Sequence, residues 1–204
     1  SSRLSNLGKT SNMGVELSIE SKNIERSKFG WTTNFTISHN SQSVDDIGNN
    51  NYVATVTSAG NIKYMMYGYK TGYPLNALWG FEYGGTVKSV EEFEANKETR
   101  QYVYRDSYSS GIAALGHSRY VDQNNDGVLD NNDLVYLGNA DPIISGGLQN
   151  NFYFGKLKLS VFFTYSYGGK MYNYSELYMA GGKYSNQYRY MLDSWHPTRN
   201  PNSD

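Results

Sequence analysis

The chain of 204 residues contains no cysteine, so no disulfide bond can stabilise it. A secreted domain without disulfides must be held together by its own sheets or by a bound metal ion. The apolar runs fall far short of the roughly 18 residues that a transmembrane helix requires. The 18 basic and 19 acidic residues nearly cancel to a net charge of −1. This balance offers no electrostatic footprint for nucleic-acid binding.

Several signals of processing and catalysis are also missing. The N-terminal residues lack the apolar segment of a signal peptide, and both ends resemble loops, so we expect a segment of a longer polypeptide. The three histidines have no metal-ligand spacing to one another. No G-x-S-x-G follows a strand, and the paired glycines form no phosphate loop. We therefore expect no enzymatic activity.

What the chain does contain is aromatic residues. Hydrophobic residues make up only 38% of it, yet there are 20 Tyr, 8 Phe and 3 Trp, together with 21 Gly. Aromatic residues favour strands, and the low apolar content leaves one side of each strand polar. The composition therefore favours a β protein with one wet face.

The clearest pattern is a strict alternation from Leu157 to Tyr167. The odd positions are apolar or aromatic, and the even positions are polar except for Phe162. A period of two predicts a β-strand. The length suits a membrane crossing, because a tilted strand needs about 9–11 residues to cross a bilayer core, whereas strands in soluble proteins average about 5–6 residues.

Three further segments alternate in the same way, around residues 15–19, 29–37 and 148–154. Short connections at 22–28 and 155–156 would join the four strands into two hairpins. About a hundred residues separate the hairpins, which is far longer than an ordinary connection. The predicted organisation is a barrel hairpin at 1–40, a loop subdomain at 41–145, a barrel hairpin at 146–167 and a loop at 168–204. Inside the subdomain, Ser89 and Glu92 fit a capping box and predict a helix at 89–96.

Short turns at one end and long connections at the other are typical of outer-membrane barrels. The turns would face the periplasm and the long connections the cell exterior. Phe29, Trp31 and Phe154 would then lie at a membrane interface. The polar face of each strand would line a wet or plugged lumen, because it would cost several kcal/mol in lipid. The predicted fold class is all-β: an antiparallel transmembrane β-barrel segment of about four strands with a long extracellular loop subdomain. A soluble β-sandwich has the same alternation and remains open at this point.

One acidic segment, DQNNDGVLDNND at 122–133, follows the spacing of an EF-hand calcium loop. Hard oxygens recur at alternate positions around a glycine turn at Gly127, as Ca²⁺ requires. The candidate ligands are Asp122, Asn124, Asp126, the backbone carbonyl of Val128, Asp130 and Asp133. An Asp at the last position is one methylene shorter than the usual Glu, so we expect lower affinity. No flanking pair of helices is evident, which favours a structural staple over a calcium switch. The alternative is an Asx-rich turn without metal.

Several motifs together resemble one family. They are Asn6–Leu17 (NLGKTSNMGVEL), Gly72–Gly80 (GYPLNALWG), Tyr120–Asp130 (YVDQNNDGVLD), Gly138–Pro142 (GNADP), the strand from Leu157 leading into Tyr167-Gly-Gly, and Trp195–Asn202 (WHPTRNPN). In this order and over nearly the whole length, the chain resembles the C-terminal barrel region of SusC/RagA-type TonB-dependent outer-membrane receptors. It departs from the family's Gly-Asn-Pro-x-Pro run at Ala140.

The resemblance implies a barrel of roughly 22 strands with a plugged lumen, located in a Gram-negative outer membrane and contacting its lipid. It also implies the import of oligosaccharides or peptides, with a SusD-like surface lipoprotein as lid. TonB would supply the energy through a segment N-terminal to this chain. Because about four strands cannot close such a barrel, this piece is not expected to transport anything alone.

Two hypotheses about the function of this chain follow. In the first, the chain is part of the importer, and the aromatic residues Tyr73, Trp79, Phe81 and Tyr83 either stack on substrate or pack within the loop subdomain. In the second, it is a soluble, secreted, calcium-stapled β-sandwich module for binding or adhesion. A continuous outward apolar band about 25 Å tall would favour the importer. Interdigitation of those side chains with a second sheet would favour the module.

Overall fold

The computed structural model describes residues 8–48, 52–59, 62–104, 110–181 and 186–203. Most of this part of the chain is antiparallel strand. The strands are β1 (Lys9–Arg26), β2 (Phe29–Asp46), β3 (Tyr52–Ala59), β4 (Ile62–Lys70), β5 (Ala77–Phe81), β6 (Tyr83–Thr86), β7 (Tyr102–Tyr104), β8 (Ser118–Val121), β9 (Leu134–Asn139), β10 (Ile144–Phe154) and β11 (Leu157–Tyr167). The helices are α1 (Val90–Thr99), α2 (Gly111–Ala114) and α3 (Tyr174–Gly181), with 3-10 turns at Asn131–Asp133 and Arg189–Asp193. None of the helices in the described ranges is long and apolar enough to cross a membrane.

The largest sheet has four strands in the order β1-β2-β10-β11, all antiparallel. Two-residue turns close its two hairpins, at 27–28 and at 155–156. Gly155 permits the second turn because its φ is +60°, a left-handed conformation that glycine adopts without strain. The two predicted hairpins are therefore present, and the central pairing of β2 with β10 brings them together across the long intervening segment.

The register of this sheet places the apolar residues of all four strands on one face. Residues that stand directly opposite each other in an antiparallel pair share a face. The apolar rows are Ile19–Phe35–Leu148–Phe163, Ile24–Trp31–Phe152–Leu159 and Phe29–Phe154–Leu157. The aromatic rings in these rows touch, with Phe29 and Phe154 4.8 Å apart and Trp31 and Phe152 5.8 Å apart between ring centroids.

Nothing else in the described part of the chain covers this apolar face. Val15 is 68% exposed, Leu157 67% and Phe163 60%. Along β10 the face runs from Ile144 to Phe154, about 34 Å at ~3.4 Å per residue. At a tilt of about 40–45° this corresponds to a band roughly 25 Å tall, the height expected of the lipid-facing belt of a barrel.

The opposite face of the same sheet is polar. Its rows are Glu16–Ser38–Ser145–Ser166, Glu20–Asn34–Gln149–Phe162 and Lys22–Thr32–Asn151–Ser160. Phe162, which breaks the alternation in the sequence, lies on this polar face and is 63% exposed. The sheet is thus a single amphipathic layer, and the alternation seen in the sequence is its cause.

The predicted connection at 22–28 is wrong in extent. Strand β1 continues to Arg26, and the turn contains only two residues. The pairing persists because a register shift between Lys22 and Ile24 accommodates Asn23 as an extra residue. Lys22 and Glu25 lie on the polar face of the strand and Arg26 on the apolar face, so the density of charge in this stretch did not indicate a loop. The first hairpin also extends beyond the apolar band, since β2 continues to Asp46.

The chain divides into two compact units, one formed by residues 1–78 and 137–171 and the other by 79–136 and 172–204. The first unit contains the amphipathic sheet. The second sheet, of order β3-β4-β5-β9, was not predicted from the sequence. The predicted division into barrel hairpins and loop subdomain describes expected roles, and its boundaries stay a prediction.

The unit formed by 79–136 and 172–204 has its own core. Val87, Phe93 and Ala114 are buried together, with Tyr104 and Leu115 packed against them. The three-stranded sheet of order β6-β8-β7 belongs to this unit. Residues 79–136, which the sequence predicts to be part of a polar loop subdomain, therefore fold around a small apolar cluster of their own.

Candidate functional site

Helix α1 begins where the sequence predicts. The Ser89 side chain accepts a hydrogen bond from the Glu92 backbone N–H at 3.1 Å, which confirms it as the cap. The second half of the predicted capping box differs, because the Glu92 carboxylate accepts from the Lys88 backbone N–H. The helix ends later than predicted, at Thr99, where Arg100 adopts a left-handed conformation and its N–H reaches the Asn96 carbonyl.

An ion pair fixes helix α1 to strand β8. Arg119 pairs with Glu92, and its guanidinium lies 4.2 Å from the centroid of the Tyr102 ring. The Arg119 Nε also donates to the Gly84 carbonyl at 2.7 Å. Both partners of the pair are partly buried, so they attract each other more strongly than an exposed pair would. The nearby Tyr104 has its pKa raised above the ordinary value, chiefly by burial.

The buried amide of Asn96 connects the same helix to strand β7. Its Nδ2 donates to the Tyr102 carbonyl at 2.6 Å, and its Oδ1 accepts from the Tyr102 N–H at 2.8 Å. The Asn96 side chain thus pairs with both the N–H and the carbonyl of Tyr102, as the backbone of a neighbouring strand would. The amide and the ion pair thus join helix α1 to strands β7 and β8.

The acidic loop curls around the carboxylate of Asp122. One oxygen of Asp122 accepts from the Asp126 N–H at 3.3 Å and the other from the Gly127 N–H at 2.7 Å. Asn125 and Gly127 supply left-handed conformations, with φ of 58° and 81°. Asp126 in turn accepts from the Val128 N–H at 2.8 Å. The sequence-predicted turn at Gly127 is present.

Asp133 closes the loop by joining its beginning to its end. Its two oxygens accept from the Gln123 N–H at 3.0 Å and from the Asp130 N–H at 2.9 Å. Asp130 caps the following 3-10 turn through the Asn132 N–H at 2.7 Å. Asp133 is fully buried and Asp122 is 4% exposed. Two carboxylates are therefore buried in one short loop, and backbone N–H groups stabilise both of them.

The donor chemistry of this loop suits Ca²⁺. Each carboxylate oxygen has two lone pairs, so an oxygen that accepts one N–H retains capacity for a cation. The alternating carboxylate and amide oxygens are the hard ligands that Ca²⁺ prefers. In the described ranges, however, no three or more His, Cys, Asp or Glu side chains are grouped so that they could hold a metal ion. Calcium binding by Asp122, Asn124, Asp126, Val128, Asp130 and Asp133 stays a prediction.

The four aromatic candidates for substrate contact have different environments. Trp79 is 4% exposed, and its ring meets Tyr136 edge-on at 5.8 Å. Phe81 is partly buried and packs against Tyr120 at 5.8 Å. Tyr83 is half exposed and its hydroxyl bonds to the Thr86 hydroxyl at 2.7 Å.

The fourth candidate, Tyr73, lies in the other unit. It follows β4 in a turn that is bonded to β2, since its carbonyl accepts from the Val44 N–H at 2.9 Å. The Lys70 ammonium is 5.5 Å from the centroid of its ring. Of the three candidates in the unit formed by 79–136 and 172–204, Tyr83 has the most accessible ring.

The sequence reasoning missed a polar ladder on the apolar face of the sheet. The side-chain oxygen Oδ1 of Asn150 accepts a hydrogen bond from the Trp31 indole N–H at 2.9 Å and another from the Thr33 hydroxyl at 2.7 Å. Asn23, the extra residue of β1, donates to Thr33 at 2.6 Å and accepts from Ser21 at 2.9 Å. The available signal was a polar residue, Asn150, at an apolar position of the strand pattern.

A second contact that was not predicted from the sequence lies in the C-terminal segment, between Tyr190 and Glu176. The Tyr190 hydroxyl donates to the Glu176 carboxylate at 2.7 Å. This hydrogen bond raises the pKa of Tyr190 to about 12, because it stabilises the neutral phenol and places a negative charge beside it. The Tyr188 ring stacks on Tyr190 with centroids 5.4 Å apart. Nothing in the spacing of the sequence indicates this contact.

No family model matches the chain. Among curated proteins of Formosa agariphila, it is 27% identical to TonB-dependent receptor P26 over 209 residues, covering 100% of this chain and 19% of that protein. It is 26% identical to TonB-dependent receptor P3 over 205 residues, again covering 100% of this chain and 19% of the relative. The chain thus spans about a fifth of the length of these relatives.

Solved structures of a RagAB peptide transporter have the same fold. One matches 98% of this chain and 20% of its own, with a TM-score of 0.65 at 19% identity. Another, of the RagAB peptide importer in a closed-closed state, covers 87% of this chain and 17% of its own, with a TM-score of 0.56 at 18% identity. The sheets formed by the described residues do not close into a barrel, as expected of a barrel segment. The all-β, antiparallel barrel-segment fold is therefore confirmed, and with it the resemblance of this chain to SusC/RagA-type TonB-dependent receptors.

Proposed function

We propose that this chain is part of a TonB-dependent importer in the outer membrane of a Gram-negative bacterium. The single observation that supports this most directly is the amphipathic four-stranded sheet, whose apolar face has membrane height and is covered by no other described element. In water such a face would be an exposed apolar patch. A soluble β-sandwich would bury it against a second sheet, so the alternative of a secreted module is disfavoured.

The substrate of the importer is a glycan or a peptide, and a SusD-like surface lipoprotein assists as lid. In support, the matched structures are named as a peptide transporter and a peptide importer. On this chain, the exposed ring of Tyr83 and the ring of Tyr73 offer flat apolar surfaces that stack on either class of substrate. The buried ring of Trp79 would act by holding strand β5 in place.

Uptake by the full-length receptor tests this function. Cells producing it would be given labelled peptides and labelled oligosaccharides in separate arms, and the receptor would be located by membrane fractionation. We expect outer-membrane location and uptake of one class only, abolished by deletion of TonB and reduced by removal of the lipoprotein. A receptor found in the soluble fraction, or uptake that persists without TonB, would contradict the proposal.

The acidic loop at 122–133 contributes a structural calcium staple to this importer. Support comes from its ligand spacing and from the burial of two carboxylates, Asp122 and Asp133, in one short loop. Calorimetry with Ca²⁺ on the full-length receptor and on Asp126→Ala is the test. Asp126 is exposed, so its removal disturbs the fold little while it deletes a central ligand. Identical heats from both proteins would remove the calcium site and leave an Asx-rich turn.

A further inference from the structure

Three basic side chains lie at the end of the apolar face that carries the two hairpin turns. Arg26 stands opposite Phe29 at the end of β1, and Phe29 stands opposite Phe154 in β10, so the Arg26 side chain shares the apolar face. Lys28 and Lys156 occupy the two hairpin turns. The Gly155 N–H donates to the Lys28 carbonyl at 2.9 Å, which holds the two turns side by side. We call Arg26, Lys28 and Lys156 the cationic rim.

The backbone of the rim is fixed from the opposite face. The Tyr153 hydroxyl donates to the Arg26 carbonyl at 2.6 Å. Its ring lies over Gly30, where a Cβ atom would come within 1.9 Å of it, so glycine is required to let the ring pass. The carbonyl at the end of β1 is therefore anchored, while the three cationic side chains remain exposed.

Among the described residues, no carboxylate forms an ion pair with the rim. The nearest acidic residue in sequence, Glu25, lies in a row with Gly30, Tyr153 and Lys158 on the polar face, and its ion-pair partner is Lys22 at 3.9 Å. Within the described ranges, none of the three rim cations takes part in an ion pair. The rim thus carries three unpaired positive charges directly beside an exposed apolar surface.

We propose that the cationic rim binds the headgroups of anionic phospholipids, with their acyl chains against Phe29, Phe154 and Leu157. This inference rests on the proposed function, which places the turns at the periplasmic side, where the outer membrane consists of phospholipid. Basic side chains beside an apolar surface are the complement of an anionic headgroup joined to hydrocarbon. Long basic side chains also reach from the edge of the apolar band to the interface.

Native mass spectrometry of the delipidated full-length receptor tests the proposal. The receptor would be incubated with an equimolar mixture of phosphatidylglycerol and phosphatidylethanolamine, and the bound lipids would be counted. We expect the wild type to favour phosphatidylglycerol. Each substitution among Arg26→Gln, Lys28→Gln and Lys156→Gln should weaken that preference roughly fivefold, and the triple variant on the order of 100-fold.

A matched triple variant, Lys9→Gln, Lys22→Gln and Lys158→Gln, removes the same charge elsewhere. Lys22 and Lys158 lie on the polar face near the same end, and Lys9 lies at the far end of β1. This control should retain the preference. Equal losses in both triple variants, or no loss in the rim variant, would overturn the proposal.

Two further arms separate the remaining possibilities. Arg26→Lys, Lys28→Arg and Lys156→Arg together should keep the preference, and they keep the test valid if the glutamine triple fails to fold. Selective binding of lipopolysaccharide in place of phosphatidylglycerol would overturn the assignment of the ligand. A wild type that reaches the outer membrane and imports substrate but shows no phosphatidylglycerol preference refutes this inference alone. A wild type absent from the outer membrane refutes the proposed function with it.

Discussion

Gly146 is a position in the amphipathic sheet where an added side chain would collide with the backbone of the neighbouring strand. A Cβ atom there would lie 2.0 Å from the Thr36 carbonyl oxygen of the neighbouring strand and 2.5 Å from the Tyr165 hydroxyl. That hydroxyl already donates to the same Thr36 carbonyl at 2.8 Å. Glycine therefore lets three strands approach closely at one point, and we predict that Gly146→Ala destabilises the sheet.

The magnitude follows from the atoms that must move. A flexible side chain could turn away, but the clashing atom is backbone, so β2 and β10 must separate by about an ångström. Overpacking of this kind costs roughly 1–3 kcal/mol. Weakening of the adjacent ladder bonds and of the tyrosine contact adds about 1 kcal/mol for each bond. Alanine also has less conformational freedom than glycine in the unfolded chain, which favours the folded state by roughly 0.5–1 kcal/mol and offsets part of this loss. We expect a net loss of about 2–4 kcal/mol.

The adjacent residue provides the control. A Cβ atom at Gly147 would meet only the tip of the Phe162 ring at 3.0 Å and a carbonyl at 3.4 Å. Because Phe162 is 63% exposed, its ring can turn away, and Gly147→Ala should stay within about 1 kcal/mol of wild type. Urea unfolding of the full-length receptor in detergent, followed by heat-modifiable gel migration, measures both variants. Equal midpoints for the two would refute the reasoning.

Three further predictions concern the polar contacts. Asn150→Leu leaves the Trp31 N–H and Thr33 hydroxyl without their acceptor on the apolar face, so it should lower the free energy of unfolding by roughly 1–3 kcal/mol in the same urea assay; no change would exclude a stabilising ladder. Asp133→Asn should destabilise the unit formed by residues 79–136 and 172–204, called the loop unit below, because one oxygen of the fully buried carboxylate becomes an NH2 donor that faces one of the two backbone N–H groups; faster proteolysis with or without Ca²⁺ is the expected result, and protection equal to wild type would contradict this. The Tyr190 phenol should titrate near pH 12 by NMR and return toward its ordinary pKa in Glu176→Gln; the contact stabilises the fold below pH 10 and is lost as the pH rises through about 12, so an unchanged titration would refute the assignment.

The amphipathic sheet was predictable because one rule generates it. Alternation at a period of two assigns each residue to a face, and a residue such as Phe162 at the wrong parity is placed correctly by the same rule. The rule does not specify where a strand ends. A bulge interrupts the alternation of faces without ending the strand. The extra residue Asn23 does this in β1, so the last part of the strand, up to Arg26, was not predicted.

The loop unit was much less predictable. Its strands are short, such as Tyr102–Tyr104, and a segment of three residues has no measurable period. The contacts that define it join residues far apart in the chain, as Arg119 to Glu92 does. Local rules succeeded only where the structure is local, namely at the Ser89 cap and at the Gly127 turn.

The two parts of the chain draw their stability from different sources. The loop unit has a buried cluster around Phe93, a partly buried ion pair and a strand-like amide at Asn96, all of which act within the unit. The sheet has ladder bonds and cross-strand aromatic contacts, but its apolar face is exposed. In the importer proposed above, lipid and neighbouring strands would bury this face, so the stability of the sheet would depend on its surroundings.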